Sequence, residues 1–538
     1  MSRAVFARVA GLLAAFAAVN AMLVFANRWP GLGVRAQWLL SGEAALLLLG
    51  LALWSRRGAD LGPRVRSALA AVLVFAVIAR YADVTSHALL GRSVNLYWDG
   101  QHLWQVLRMA GAEQAWGKDL AALAGVVLIV FVLHRLSGLL LGGIIRGLSH
   151  PPAASAASAV AAMAMAIWLI GPRVGLPVHR VYAEPVSATV LRQATAMARS
   201  LSAEQLESLL PSSPAFDTDL SALGGADVLV LFLEAYGAIT FDMPQIAGAL
   251  APAREKLGTA IAASGRSVVS ARVVSPTFGG ASWLAHAALL SGIDTRDPDI
   301  YAALLRSRRP SMVSHFAAHG YRTVAWVPGI QRPWPEGRFW RFDRYGELDS
   351  MGYAGIPFGY WQVPDQAAMA LLARDELRST RERSGEKPRF VMFPIVSTHA
   401  PFVPVAPVKK DWAALTGPGA YTAAERDAAL AQPEDWTQPV PQYIGAFRYT
   451  LGWLSSFLAE RASPDLVLVV IGDHQPIGAV TGPGAPWDVP VHVISRNALL
   501  MERLRAEGFV DGQRPAERPL GPMKALTSVL VKAFGAGH

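Results

Sequence analysis

The polar and apolar positions of this chain divide it into two unlike parts. Five apolar blocks, near residues 6–26, 37–54, 67–79, 120–133 and 153–170, fill the first third. A bilayer core of about 30 Å takes about 20 apolar residues of helix, so the blocks predict five membrane-spanning helices. The third and fourth blocks reach that length only if flanking residues such as Arg80 and Lys118 lay their stems along the helix. The first block starts basic, like a secretory leader, but four more blocks follow, which predicts an anchor instead.

After a mixed, polar, partly helical connector at 179–225 the pattern changes. Short apolar runs at 228–233, 268–274, 323–327, 390–396, 466–471 and 489–494 alternate with helical patterns at 251–263, 311–318, 365–382 and 444–460. Runs that are apolar on both faces and separated by helices predict a mostly parallel central sheet covered on both sides. The expected organisation is a five-helix transmembrane domain at 1–178, the connector at 179–225, and an extracytoplasmic α/β domain at 226–538.

Composition agrees with this division. Of 538 residues, 52% are apolar and 17% charged, against about a quarter charged in a typical soluble protein. The net charge of +9 comes from scattered residues without a dense basic run. Nucleic acid is therefore not an expected partner, and nearness to an anionic membrane surface accounts for the charge. With no cysteine there is neither a disulfide framework nor a thiolate metal site.

With the N-terminus inside, the inner segments carry Arg3, Arg8, Arg56, Arg57, Arg64, Arg66, Arg135 and Arg146. The outer ones carry Arg28, Arg35, Arg80, Arg92, Arg108 and Lys118. Eight against six puts the α/β domain outside the cytoplasmic membrane. The loop at 84–119, with Leu96-Tyr97-Trp98 and Leu103-Trp104, reads as a helix lying on the membrane or as part of a lipid headgroup pocket. The spans hold almost no central ionisable residue, which argues against a transporter.

In a sheet of this kind, ligands bind beyond the carboxyl ends of the strands. Three runs end in reactive residues: Glu234 after the first, Asp473-His474 after 466–471, and His399 after 390–396. Two carboxylates and an imidazole suit Zn²⁺ or Mn²⁺. Singly, the acid is an ordinary helix-start charge and His399 a structural histidine. A fourth segment, Ser275-Pro276-Thr277-Phe278-Gly279-Gly280-Ala281-Ser282, leads through glycines into a helix at 283–290. Ser282 there is either a helix cap or a nucleophile at the positive end of a helix, placed to hold and attack a phosphoryl group. Metal binding to its oxygen would lower its pKa further. Thr277 is the competing hydroxyl.

Carrying Gly472-Asp473-His474-Gln475-Pro476 and the glycine-turn segment before Ser282, the chain resembles the membrane-bound branch of the alkaline phosphatase/sulfatase superfamily. That branch holds lipoteichoic acid synthases, phosphoglycerol transferases and phosphoethanolamine transferases. The resemblance implies five spans and an alkaline phosphatase-like α/β domain on the periplasmic or extracellular side of a bacterial inner membrane. It implies one divalent metal ion (Mn, Zn or Mg) on Glu234, Ser282, Asp473 and His474, with Ser282 as nucleophile. His399 would meet the phosphate or the leaving group. Trp340 and Arg341 would line the headgroup pocket, with Arg341 as a phosphate clamp. The implied substrates are a membrane phospholipid donor and an envelope glycan or lipid acceptor. A hydrolase using the same site, or a non-catalytic scaffold keeping the fold, are the alternatives.

Three positions depart from the family's pattern. Ser282 stands where Thr is usual, no histidine lies near Trp326-Val327-Pro328, and Thr450-Leu451 stands where an acid is common. The sulfatase signature, Cys or Ser followed by x-Pro-x-Arg, does not occur, which argues against sulfate ester cleavage.

Overall fold

The computed structural model describes residues 3–28, 32–58, 61–90, 93–100, 116–200, 202, 208–331, 334–377 and 386–535. It divides into two compact units, Met1–Ala88 with Ser93–Ala198, and Leu89–Arg92 with Arg199–His538.

The first unit is helical: α1 (Arg3–Val24), α2 (Gly42–Ser55), α3 (Pro63–Leu90), α4 (Trp116–Leu148), α5 (Pro151–Ile170) and α6 (Val186–Ser200). Among the described residues, four helices are long and apolar enough to cross a membrane: Val5–Val24, Pro63–Ala88, Leu120–Leu148 and Pro151–Val174. Four of the five expected blocks are met by these helices, and the second block forms the shorter apolar helix α2. It has 14 residues, and at 1.5 Å per residue that is about 21 Å, short of a bilayer core. The cause is local. Ser41 caps α2 by accepting the Ala44 N–H, and the Arg56-Arg57 turn closes it.

The third and fourth blocks make longer helices than their hydropathy predicts, 28 and 33 residues. Backbone hydrogen bonding continues through Arg64, Arg66 and Arg80, because the helix satisfies its own amides whatever the side chain. Arg80 is buried and donates Nε–H to the Phe25 carbonyl at 3.1 Å. In the loop at 84–119, Leu103 and Trp104 lie outside the described residues.

The second unit is built on eight strands: β1 (Val228–Leu233), β2 (Ser267–Val274), β3 (Arg322–Trp326), β4 (Arg344–Gly346), β5 (Arg389–Pro394), β6 (Val467–Gly472), β7 (Asp488–Ser495) and β8 (Val510–Asp511). Their order across the sheet is β8-β2-β7-β6-β1-β5-β3-β4. The five strands from β6 to β4 are mutually parallel, and β7 pairs antiparallel to both β6 and β2. Strands β4 and β8, of three and two residues, are too short to leave a periodic signal in the sequence.

Every residue of β1 is buried. Leu229, Leu231 and Leu233 enter one core, and Val228, Val230 and Phe232 the other. This is why the run reads as continuously apolar rather than alternating. The first core is closed by α7 (Pro244–Ala263), α9 (Asp365–Asp375) and α10 (Val440–Glu460). The second is closed by α8 (Ser282–Ser291), α11 (Ala498–Ala506) and α12 (Met523–Phe534).

Two helices start earlier than their patterns suggest. α7 runs through Pro252, and α10 places Pro441 in its first turn, where a missing N–H costs nothing. The helix expected at 365–382 ends at Asp375, and 378–382 lie outside the described residues. The sheet order sets β1 between β5 and β6. The residues that follow these three strands, Glu234, His399 and Asp473-His474, therefore leave from one edge.

Candidate metal centre

Close approach of β1 and β6 at their carboxyl ends decides the local sequence. Leu233 is in register with Gly472. A Cβ on Gly472 would lie 1.9 Å from the Tyr236 carbonyl oxygen, so only glycine fits before Asp473. Gly237 packs closely too: a Cβ there would meet the Gln475 Oε1 at 1.6 Å, so the Gln475 side chain would have to move. Between them Ala235 takes a left-handed φ of 56°, which for a residue with a Cβ costs about 1–2 kcal/mol. Two hydrogen bonds hold it there. Its N–H donates to Asp473 Oδ1 at 2.8 Å, and its carbonyl accepts from the Tyr443 hydroxyl at 2.8 Å.

Asp473 and His474 are both buried. Asp473 Oδ1 accepts a second N–H, from His474, at 2.6 Å. Its Oδ2 is buried and has no hydrogen-bond partner. His474 donates Nδ1–H to the Gln475 carbonyl at 2.7 Å, which leaves Nε2 to face the site. That Nε2 lies 3.1 Å from Glu234 Oε1 and 3.8 Å from Asp473 Oδ1.

Ser282 completes the group from the other side. The glycine turn brings the chain round through Gly279 (φ 65°), Gly280 (φ 144°) and Ala281 (φ 60°). It is laced to the Asp473 loop by the Gly279 N–H on the Gln475 carbonyl, 3.0 Å, and by the Ser275 hydroxyl on the Asp473 carbonyl. Ala281, not Ser282, is the residue that caps α8. Ser282 is thus the first residue of the helix and makes no cap bond, which removes the plain-cap reading. Its hydroxyl donates to Glu234 Oε2 at 2.8 Å and lies 3.1 Å from His474 Nε2.

The electrostatics of this closed group are those of a site short of positive charge. Burial lowers the pKa of His474, but the carboxylates of Asp473 and Glu234 outweigh it and push it up to about 9. Burial and the Glu234 charge raise the Asp473 pKa well above the usual carboxylate range. For Glu234, burial acts upward, yet the His474 imidazolium prevails and holds the carboxyl well below its usual range.

A divalent cation fits these residues. Glu234, Asp473 and His474 each offer a ligand atom, and these atoms lie within 4.8 Å of one another. The orphaned Asp473 Oδ2 is a buried acceptor that a metal would satisfy. The Nδ1–H bond from His474 is the outer support that orients a ligating imidazole. The Ser282 oxygen is within hydrogen-bond distance of two of the three. Carboxylate, imidazole and hydroxyl donors suit Zn²⁺, Mn²⁺ or Mg²⁺.

Among solved structures the chain is similar to members of the alkaline phosphatase superfamily. One is a superfamily protein from Vibrio parahaemolyticus, 17% identical with a TM-score of 0.33, covering 53% of this chain and 63% of that one. Another is the lipoteichoic acid synthase LtaP from Listeria monocytogenes, 13% identical, TM-score 0.32, covering 54% and 70%. A third is the periplasmic domain of the phosphoethanolamine transferase EptC from Campylobacter jejuni, 13% identical, TM-score 0.37, covering 57% and 89%. The chain thus spans less than two thirds of the Vibrio protein. No protein-family profile and no curated protein sequence matches it. At TM-scores this low, the functional reading rests on the geometry of the site itself.

The remaining candidates are placed differently. Thr277 is fully buried, and its hydroxyl donates to the Gly280 carbonyl at 2.6 Å, closing the glycine turn. His399 follows β5. It donates Nδ1–H to the Ala400 carbonyl at 2.7 Å and sets its ring edge-on to Trp361, 4.9 Å between centroids. It is near enough for its charge to lower the Glu234 pKa. Trp340 is buried in the second core. Arg341 is exposed, with a left-handed φ of 54°. Among the described residues, neither is tied to Glu234, Asp473 or His474 by a hydrogen bond or ring contact. Thr450 lies buried in α10 with its hydroxyl unpartnered.

Three contributors escaped the sequence reading. Tyr443 and Gln475 brace the Glu234 loop, and Asp365 braces the loop after β5. Gln475 lies within the run Gly472–Pro476, but its packing on Gly237 is a tertiary fact. Asp365 and Tyr443 belong to helices far away in sequence and carry no local signal.

Proposed function

We propose that this chain is a membrane-anchored, metal-dependent phosphotransferase that moves the headgroup of a phospholipid onto a glycan or lipid hydroxyl through a phospho-Ser282 intermediate. The observation that carries the reading is the Ser282 hydroxyl. It sits at the first position of a helix, 2.8 Å from Glu234 and 3.1 Å from His474, the residue that follows Asp473.

Ser282 Oγ attacks the phosphorus of the donor phosphodiester. The Ser282–O–P bond forms and the bond to the diacylglycerol oxygen breaks. The hydroxyl proton has an acceptor in Glu234, to which it already donates. The positive end of α8 faces the negative charge growing on the phosphoryl oxygens. His399 has Nδ1–H committed to the Ala400 carbonyl, which leaves Nε2 to protonate the departing oxygen or hold the phosphate. An acceptor hydroxyl then displaces Ser282 by the reverse of these steps. A divalent ion on Glu234, Asp473, His474 and Ser282 would supply a Lewis acid that lowers the hydroxyl pKa and neutralises phosphoryl charge. Arg341 is proposed as a phosphate contact made on substrate binding. The long apolar helices keep such a site with a donor that stays in the bilayer.

The test is release of diacylglycerol from fluorescent phosphatidylglycerol and phosphatidylethanolamine by the metal-loaded protein. Ser282→Ala should lower it by at least about a thousandfold. Unchanged release would sink the assignment and move the nucleophile to Thr277. Product analysis with and without a polyol acceptor separates transfer from hydrolysis.

A further inference from the structure

We infer that Asp365 is a positioning residue for His399, acting through the first turn after β5; this rests on the site reading proposed above. Asp365 is the first residue of α9 and is fully buried. Its two oxygens are each committed to one backbone N–H. Oδ1 accepts from Val396 and Oδ2 from Ser397, both at 2.9 Å. The Ser397 hydroxyl faces the same carboxylate.

Val396 is also the residue on which His399 is hung. Its carbonyl accepts the His399 N–H at 3.0 Å, and the His399 carbonyl accepts the Phe402 N–H at 2.7 Å. The chain of bonds from Asp365 to the His399 backbone is therefore one residue long. The next helix residue anchors the far end of the same segment. The Gln366 amide donates Nε2–H to the Lys409 carbonyl at 2.7 Å and accepts the Lys409 N–H at 2.8 Å. The first turn of α9 thus clamps residues 396 and 409, and His399 lies between them. With Nδ1–H held by Ala400 and the ring set against Trp361, a fixed backbone fixes where Nε2 points.

A carboxylate is an expensive way to fill this position. Burial, with the Glu234 charge added, pushes its pKa up to about 6, and a buried charge is kept only where it is well bonded. Packing alone would be served better by an apolar side chain. Two oxygens matched to two consecutive N–H groups are what an apolar residue or an amide cannot supply.

The experiment uses the full chain in detergent micelles, metal-loaded, with bis(4-nitrophenyl) phosphate and fluorescent phosphatidylglycerol as substrates. The variants are Asp365→Asn, His399→Ala and the double variant. Asp365→Asn should lower kcat about tenfold or more with bound metal unchanged, because a small misplacement of a reacting group is costly. The double variant should be no slower than His399→Ala within about twofold, since both changes act through one group. Multiplying losses in the double variant, wild-type kcat in Asp365→Asn, or a loss that tracks missing metal would each overturn the inference.

A second readout does not need turnover. The ¹⁵N signal of His399 Nε2 should shift or broaden in Asp365→Asn; an unchanged signal overturns the inference. If the wild type itself releases no product, the functional reading fails while this signal still decides the role of Asp365. Should Asp365→Asn not fold, Asp365→Glu keeps both acceptors, displaces the loop by one methylene, and carries the same measurements.

Discussion

Helix α4 and strand β1 are both long apolar runs, and they bury opposite things. In α4, Leu123, Val127 and Phe131 are about 60% exposed (60%, 61% and 58%), while every residue of β1 is at most 1% exposed. Both satisfy their backbone hydrogen bonds. A helix does so alone, so its side chains are left for whatever surrounds it. A strand does so only between neighbours, and covering helices then close both of its faces. The same apolar residues are therefore left exposed in one unit and form the buried floor beneath Glu234 and Asp473 in the other. The comparison can be broken by experiment.

Val230→Arg puts an unpaired charge into the second core, and the α/β unit should lose its cooperative melting transition entirely. Leu128→Arg, on an exposed α4 position, should leave that transition in place. Its cost should show instead as an insertion penalty of about 2.5–3.5 kcal/mol at mid-membrane. A normal α/β transition in Val230→Arg would contradict the burial assigned to β1.

The next effect concerns the floor itself. Glu234→Gln should weaken divalent metal binding by more than about a hundredfold by titration calorimetry, since in the proposed centre Glu234 is a direct ligand and not an outer support. Chelation of the wild type should lower the melting temperature of the α/β unit, and Mn²⁺ or Zn²⁺ should restore it.

A smaller effect separates two buried histidines, His492 in β7 and His315 in the helix Met312–Ala318, from the one in the site. Burial lowers the pKa of His492 to about 3 and, aided by His319, that of His315 to about 4. Both are therefore neutral in the folded protein where the unfolded chain is already taking up protons. Their contribution to stability is present above pH about 6.5 and is lost as pH falls toward the folded values. Each should add a slope of up to about 1.4 kcal/mol per pH unit in that window. His492→Gln should flatten the fall of melting temperature between pH 6.5 and 4; an unaltered slope would remove His492 as its source.

The smallest effect is at Thr277. Because its hydroxyl closes the glycine turn, Thr277→Val should cost about 1–3 kcal/mol of stability. Metal binding should persist, so loss of metal affinity in this variant would place Thr277 in the centre rather than beneath it.

Much of the fold was legible because its signals are local. Among the described residues, six of the eight strands of the α/β sheet announce themselves as apolar runs, since most of their positions are buried. β4 and β8 do not, being too short to carry a period. Hydropathy located the long helices but misjudged their lengths, as it scores side chains and not hydrogen bonds. The Asp473-His474 pair was visible because it directly follows a buried strand. Whether Ser282 was a cap or faced the carboxylates was open, since that depends on the left-handed turn at Ala281.

By itself, the sequence determined which residue types stood at which strand ends; that only glycine fits before Asp473 follows from the Tyr236 carbonyl packed against it. Tertiary structure alone decided that β1 lies between β5 and β6, so that Glu234 and His474, 240 positions apart in numbering, come within 3.1 Å. It also decided that Asp365 and Tyr443 hold the loops they hold. The physical reason is the same in each case. Periodicity reports which way a residue faces, and a hydrogen bond between distant segments depends on strand order, which no local pattern encodes.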